Sequence, residues 1–198
     1  TFLIRRDFVA GIGTQIAAVM GFVTNFYEMM TGGSYEAQFI PHLFVHNWSL
    51  AVEVHYYLLW GLAVWYLAKY CKTAGQLRGS IFLLSSLGLL ISFLSMFIGS
   101  LLGLSFSGLY FSTHIYPFFV GSILATLTGI KQMTGLLKKI IRSWSLREAC
   151  LVFAAGAGLL VVMMLWVKFD SLFTYLLGFL LASLSAAAMI LATRGLHE

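Results

Sequence analysis

Read from one end to the other, the chain alternates long apolar stretches with short polar ones. Six apolar stretches can be drawn, at residues 9–27, 48–68, 81–102, 108–127, 149–167 and 172–193. A helix rises about 1.5 Å per residue, so roughly 20 residues of helix cross a hydrocarbon core of about 30 Å. The regular apolar–polar alternation of membrane β-strands does not occur in them. The pattern predicts an all-α fold, a polytopic membrane helix bundle of about six transmembrane helices. No stretch pairs with another as a repeat or an inverted half. With only two prolines and no long polar tract, nothing marks a linker, and the organisation expected is a single membrane domain over residues 1–198.

Composition sharpens this picture. Of the 198 residues 60% are hydrophobic and 10% charged, with a mean hydropathy of +0.92, which excludes the function classes of soluble domains. The formal charge of +5 raises the possibility of a nucleic-acid partner. The basic residues, however, stand between apolar stretches rather than in one patch, so no nucleic acid is expected. They read instead as topology signals. If the N-terminus is cytoplasmic, Arg5, Arg6, Lys69, Lys72, Arg78, Lys131, Lys138, Lys139, Arg142, Arg147 and Arg194 all fall inside and only Lys168 outside, which is 11 of the 12 Lys and Arg residues. Both termini are then cytoplasmic. Cys71 and Cys150 fall at inner ends of their spans, where a reducing compartment keeps thiols free, and neither a disulfide nor a metal is expected of them.

Small residues recur every four positions at Ser95, Gly99 and Gly103 and at Gly178, Ala182 and Ala186, a spacing that lets helix backbones approach closely. The basic stretch "KQMTGLLKKIIRSWSLR", residues 131–147, fits an interfacial amphipathic helix or an ordinary cytoplasmic loop equally well.

The candidate chemistry gathers at the second stretch. In the orientation above it enters the membrane from outside at Trp48, which puts Glu53 about one and a half turns below the outer interface. A carboxyl at that depth costs a few kcal/mol unless it is paired, protonated or facing a wet cavity. It therefore serves either a polar site or a structural hydrogen bond to another helix. Helical spacing places His46, Ser49, Glu53 and Trp60 near one stripe, with His46 at the outer surface. An imidazole there can accept a hydroxyl proton and a carboxylate can orient it, although a histidine at an interface can equally be a solvated end.

His55 is turned away from Glu53 by roughly 200° and can reach only a neighbouring span. His114 stands three residues before Pro117, whose lost N–H leaves a carbonyl unpaired; that break opens a polar pocket or is satisfied by Ser112, Thr113 and His114. His42 and His46 lack a third ligand at zinc spacing, so no metal is expected. Gly32 and Gly33 read as a turn rather than a phosphate loop.

The segment "PHLFVHNWSLAVEVHYYLLWG" (residues 41–61) resembles the His-x-Trp-Ser-Leu-x-x-Glu signature of the acyltransferase-3 family of membrane O-acyltransferases. The segment "TNFYEMMTGGSYEAQF" (residues 24–39) is similar to that family's Asn-aromatic segment and Gly-x-Tyr loop, and "STHIYPFFVGSILATL" (residues 112–127) to a later Ser-Thr-Arg span. Together these cover a little over a third of the chain. The likeness is nearest to bacterial peptidoglycan O-acetyltransferases.

The resemblance implies an enzyme of the plasma membrane that takes acetyl from cytoplasmic acetyl-CoA, holds no resident cofactor, and delivers the acetyl group to a hydroxyl of a cell-wall or surface glycan. Its partners would be the glycan acceptor, the acyl-CoA donor and membrane lipids. It implies catalytic roles for Glu53 and His46 and substrate-binding roles for Trp48, Ser49, Asn25, Tyr35 and His114, with Leu50 completing the signature. Val54 stands where members commonly carry a second carboxylate and His114 where they carry arginine.

Members also begin with a span bearing Arg and a catalytic His, then a basic pair for the donor; Arg5 and Arg6 fall too close to the Asn-aromatic segment to be that pair. The chain, which begins at Thr1 without a signal pattern, is accordingly expected to be the C-terminal part of a longer domain and inactive by itself. Two other function classes compete: a transporter or flippase, suggested by Pro117 beside His114, and a non-catalytic membrane scaffold.

Overall fold

The computed structural model describes residues 12–31, 44, 46–102, 115–128, 144–167, 171 and 173–195. Every regular element among them is helical. In chain order these are α1 (Ile12–Met20), α2 (Thr24–Thr31), α3 (Asn47–Tyr70), α4 (Ala74–Leu101), α5 (Tyr116–Thr128), α6 (Leu146–Trp166), a π-helical turn (Thr174–Gly178) and α7 (Phe179–Gly195). The all-α class follows, and among the described residues three helices are long and apolar enough to cross a membrane: Asn47–Tyr70, Ala74–Gly99 within α4, and Leu146–Trp166. Apolar side chains such as Leu58, Leu62, Leu83, Leu87, Val161 and Leu165 stand exposed along them. In water that surface would aggregate; against lipid it needs no cover.

Local chemistry sets the helix ends. Thr73 Oγ1 accepts the Gln76 amide at 3.2 Å, and Gln76 Oε1 accepts the Lys72 amide at 3.0 Å, so α4 starts seven residues before the apolar stretch does. Ser145 and Glu148 form a reciprocal capping box that starts α6. At the far end of α3, Lys69 Nζ lies 5.9 Å from the Trp65 ring centroid near exposed Tyr66 and Tyr70, the aromatic and cationic belt of a membrane interface.

The first apolar stretch is not one helix. Continuous hydropathy predicts a single span over residues 9–27, yet α1 stops at Met20 and α2 begins at Thr24. The Val23 amide reaches back to the Ala18 carbonyl at 2.9 Å and the Phe22 amide to Val19 at 3.0 Å, while Phe22 takes φ = 54°. This is a Schellman stop with a phenylalanine in the left-handed position that glycine usually fills. Pro117 also departs from the kink predicted inside a span starting at residue 108: it stands in the first turn of α5, where its absent N–H costs no helical bond.

The chain divides into two compact units, Thr1–Lys69 with Gly103–Ile115, and Tyr70–Leu102 with Tyr116–Glu198. In the second, α4 packs on α5 and α6 on α7. Gly88 of α4 receives the Phe119 ring of α5, and Gly156 of α6 receives Met189 and the Ser185 carbonyl of α7. Of the predicted small-residue stripes, Ser95 is exposed, its hydroxyl bonded to the Ile91 carbonyl, Gly99 is buried, Gly178 faces Met163 of α6, and Gly103 lies outside the described residues. Ala182 and Ala186 instead line an apolar cavity of about 400 Å³ between α5 and α7.

Candidate functional site

Two kinds of buried polar side chain distinguish the units. In the second unit they are hydroxyls only: Ser85, Ser92, Thr126, Thr128, Thr174 and Ser185 among the described residues. In the first they are two carboxamides, a hydroxyl and a carboxyl: Gln15, Thr24, Asn25 and Glu28. The apolar cavity between α5 and α7 has one hydroxyl on its wall, Ser183, and that hydroxyl is already bonded to the Phe179 carbonyl. The first unit is where chemistry can be sought.

Its polar interior is built by α1 and α2. Gln15 comes from α1. Thr24 and Asn25 open α2, and Glu28 follows one turn later on the same face, since helical offsets of three and four return to one side. Thr14 Oγ1 and the Tyr27 hydroxyl approach to 3.4 Å, tying the two helices together. Thr24, Asn25 and Glu28 are each 2% exposed. Among the described residues Thr24 Oγ1 and Asn25 Oδ1 have no hydrogen-bond partner, and each such atom costs about 1–3 kcal/mol.

The third helix contributes the signature residues. Its buried stripe is Trp48, Ala51, Val52 and Tyr56, with the Tyr56 ring stacked on Trp60 at 5.7 Å. His55, half-buried, packs its ring 5.6 Å from Phe26 of α2, so it meets a neighbouring helix as its direction around α3 predicts. Ser49 and Glu53 lie half-buried on the flank of that stripe, and His46 is exposed just before the helix. Ser49 donates to the His46 carbonyl at 3.2 Å.

The sequence stripe of His46, Ser49, Glu53 and Trp60 is thus one flank of α3. His46 and Glu53 are nevertheless separated by seven residues, about 10 Å of helical rise, and Glu53 has no hydrogen-bond or ion-pair partner among the described residues. The structure does not join them as base and orienting acid. Asn25 is in the buried interior and Trp48 is buried as well. Tyr35 and His114 lie outside the described residues, as do His42, Gly32, Gly33 and most of the basic stretch after residue 130.

Sequence reading missed Gln15, Thr24 and Glu28. The span drawn to residue 27 pushed Glu28 into an outer loop, although the spacing of Thr24, Asn25 and Glu28 was itself a signal: three polar residues sharing one helical face beside an apolar run. No protein-family model, curated protein or solved structure matches the chain.

Proposed function

We infer that the chain acts in membrane O-acetyl transfer, moving an acetyl group from acetyl-CoA on the cytoplasmic side of the plasma membrane to a hydroxyl of a cell-wall or surface glycan. The observation that carries this reading is the polar, carboxyl-bearing interior of the first unit, formed beside the helix that bears the "HNWSLAVE" signature. A transmembrane scaffold has no use for it, because buried polar groups at membrane depth are expensive.

In the transfer, the acceptor hydroxyl loses its proton to a base as its oxygen attacks the acetyl carbonyl. The carbon–sulfur bond to coenzyme A breaks, and the thiolate leaves and is reprotonated. His46, exposed ahead of α3, is assigned as the base by resemblance; Glu53, about 10 Å further along the same flank and without a partner among the described residues, lines the polar wall. Trp48, Ser49 and Asn25 position the acceptor, with Tyr35 and His114 assigned to the same task by resemblance.

The test is acetyl transfer from labelled acetyl-CoA to glycan in membranes holding the full-length protein. Glu53→Gln is expected to abolish transfer at unchanged protein level, and unchanged transfer removes Glu53 from the site. The break at Phe22 favours one second reading, a transporter or flippase, since interrupted helices present polar backbone and side chains at mid-membrane. That reading predicts solute or lipid movement in vesicles containing the pure protein without any acyl donor.

A further inference from the structure

Small residues at helical spacing ordinarily bring two membrane helices into contact. Between α5 and α7 they wall a cavity instead. Pro117, Gly121 and Leu124 share one face of α5, and Ala182, Ala186 and Ile190 one face of α7. A Cβ built on Gly121 meets nothing within 4 Å, whereas at Gly88 and Gly156 the neighbouring helix stands well inside that distance. The space of about 400 Å³ is apolar, and the one hydroxyl on its wall, Ser183, already donates to the Phe179 carbonyl. Large apolar cavities stay dry and take up apolar guests.

Size and chemistry choose the guest. From Phe179 to Ile190 the wall of α7 rises about 16 Å. A helix about 10–12 Å in diameter over that length takes up more than about 1,200 Å³, far beyond the space available. A single methylene chain, one carbon wide, fits. The pantetheine arm of coenzyme A fits poorly, since its amides would be buried there without partners.

A methylene chain at membrane depth comes attached to a headgroup, and the charges of the second unit select it. Phe93 meets Tyr116 with ring centroids 6.2 Å apart and Gly88 meets Phe119, so α4 and α5 run antiparallel. Gly178 faces Met163 and Gly156 meets Met189, so α6 and α7 do the same. Continued at that register, Arg78 of α4 stands level with the C-terminal end of α5, and Arg147 of α6 with that of α7. Successive spans alternate in direction, which brings both ends to one face. Arg194 occupies the α7 position one turn beyond Ile190. Arg78 is half-buried and Arg147 exposed, and neither has an ion-pair partner among the described residues. Glu148, the unit's only carboxylate among those residues, accepts the Ser145 amide at 2.6 Å and hydroxyl at 2.9 Å. A phosphate supplies the charge and the acceptor oxygens that the arginines lack.

We propose that the cavity between α5 and α7 holds one acyl chain of an anionic phospholipid, with its phosphate at the end of the unit that carries Arg78, Arg147 and Arg194. The site goes beyond acetyl transfer and does not depend on it.

The test is native mass spectrometry of the full-length protein in detergent with dioleoylphosphatidylglycerol, or with dioleoylphosphatidylcholine, which has the same chains and no net charge. The phosphatidylglycerol is expected to bind about ten-fold more tightly. Gly121→Leu and Ala186→Leu fill the cavity and weaken both lipids about ten-fold. Arg78→Gln with Arg147→Gln lowers the affinity for phosphatidylglycerol to that for phosphatidylcholine. Unchanged unfolding midpoints in SDS distinguish a blocked site from a damaged fold. Photolabelling tests the wild type alone: phosphatidylglycerol with a diazirine in its acyl chain marks peptides of α5 and α7, and excess unlabelled lipid removes the mark.

Equal affinity of the wild type for the two lipids, binding indifferent to the leucines, or labelling spread evenly over the lipid-facing helices overturns the proposal. So does displacement of the lipid by coenzyme A, which assigns the cavity to the donor. The expected lipid pattern in a protein that transfers no acetyl upholds the site and removes only the enzymatic reading.

Discussion

A methyl group added at Gly88 tests the packing of the second unit. An ideal Cβ there would stand 2.5, 2.6 and 2.9 Å from Cζ, Cε1 and Cε2 of Phe119, while carbon atoms in good contact keep about 3.5–4.0 Å. The ring, or α5 with it, must therefore withdraw by about 1 Å. Overpacking of this kind costs about 1–3 kcal/mol, and the helical preference of alanine over glycine returns about 0.5–1 kcal/mol. Gly88→Ala should destabilise the protein by about 1–2 kcal/mol, read as a lower midpoint for unfolding by SDS in mixed micelles. A Phe119→Leu background removes the obstructing ring edge, and there the alanine is expected to be neutral or stabilising, giving a coupling energy of about 0.5–3 kcal/mol in the double-mutant cycle. A neutral Gly88→Ala in the wild-type background, or the same cost in both backgrounds, refutes the ring-into-glycine packing of α4 on α5.

Other consequences are more local. Phe22→Gly places the residue suited to φ = 54° at the stop between α1 and α2 and should stabilise the protein by about 1 kcal/mol. The side chain it deletes is 42% exposed, so little packing is lost, and an unfolding midpoint that falls contradicts the assignment of strain there. Ser145→Ala removes the oxygen that accepts the Glu148 amide and the hydroxyl that meets its carboxylate. Faster hydrogen exchange confined to the first turn of α6 is expected, and unaltered exchange at Glu148 denies the capping box its role.

The helical class was legible because it depends on one quantity, the length of apolar sequence needed to cross lipid, and hydropathy measures it directly. α3 and α6 match their stretches to within a few residues for that reason. The start of α4 was misplaced because it is set by Thr73 and Gln76, polar residues outside the apolar run that a hydropathy window discards. Glu53 was legible as an anomaly, but not its surroundings: whether a carboxyl on the flank of α3 gains a partner is decided by other helices, and spacing within one helix carries no information about them.

The first stretch hid most. Hydropathy continues without a dip through Gly21, Phe22 and Val23, so a sum over the window passes across a break that two amide-to-carbonyl bonds enforce. With the break unseen, α2 was divided between a span and a loop, and its polar face went unnoticed. Over residues 22–31 the chain then violates three local rules: a phenylalanine in the left-handed region, a helix only eight residues long, and two buried polar atoms without partners among the described residues. Natural sequences ordinarily satisfy these rules together, and where several fail at once the place is a strained or functional one. The stop at Phe22 has the further effect that Thr24 cannot bond back into a preceding turn. Strain in the backbone and the unpaired hydroxyl of Thr24 thus have one cause.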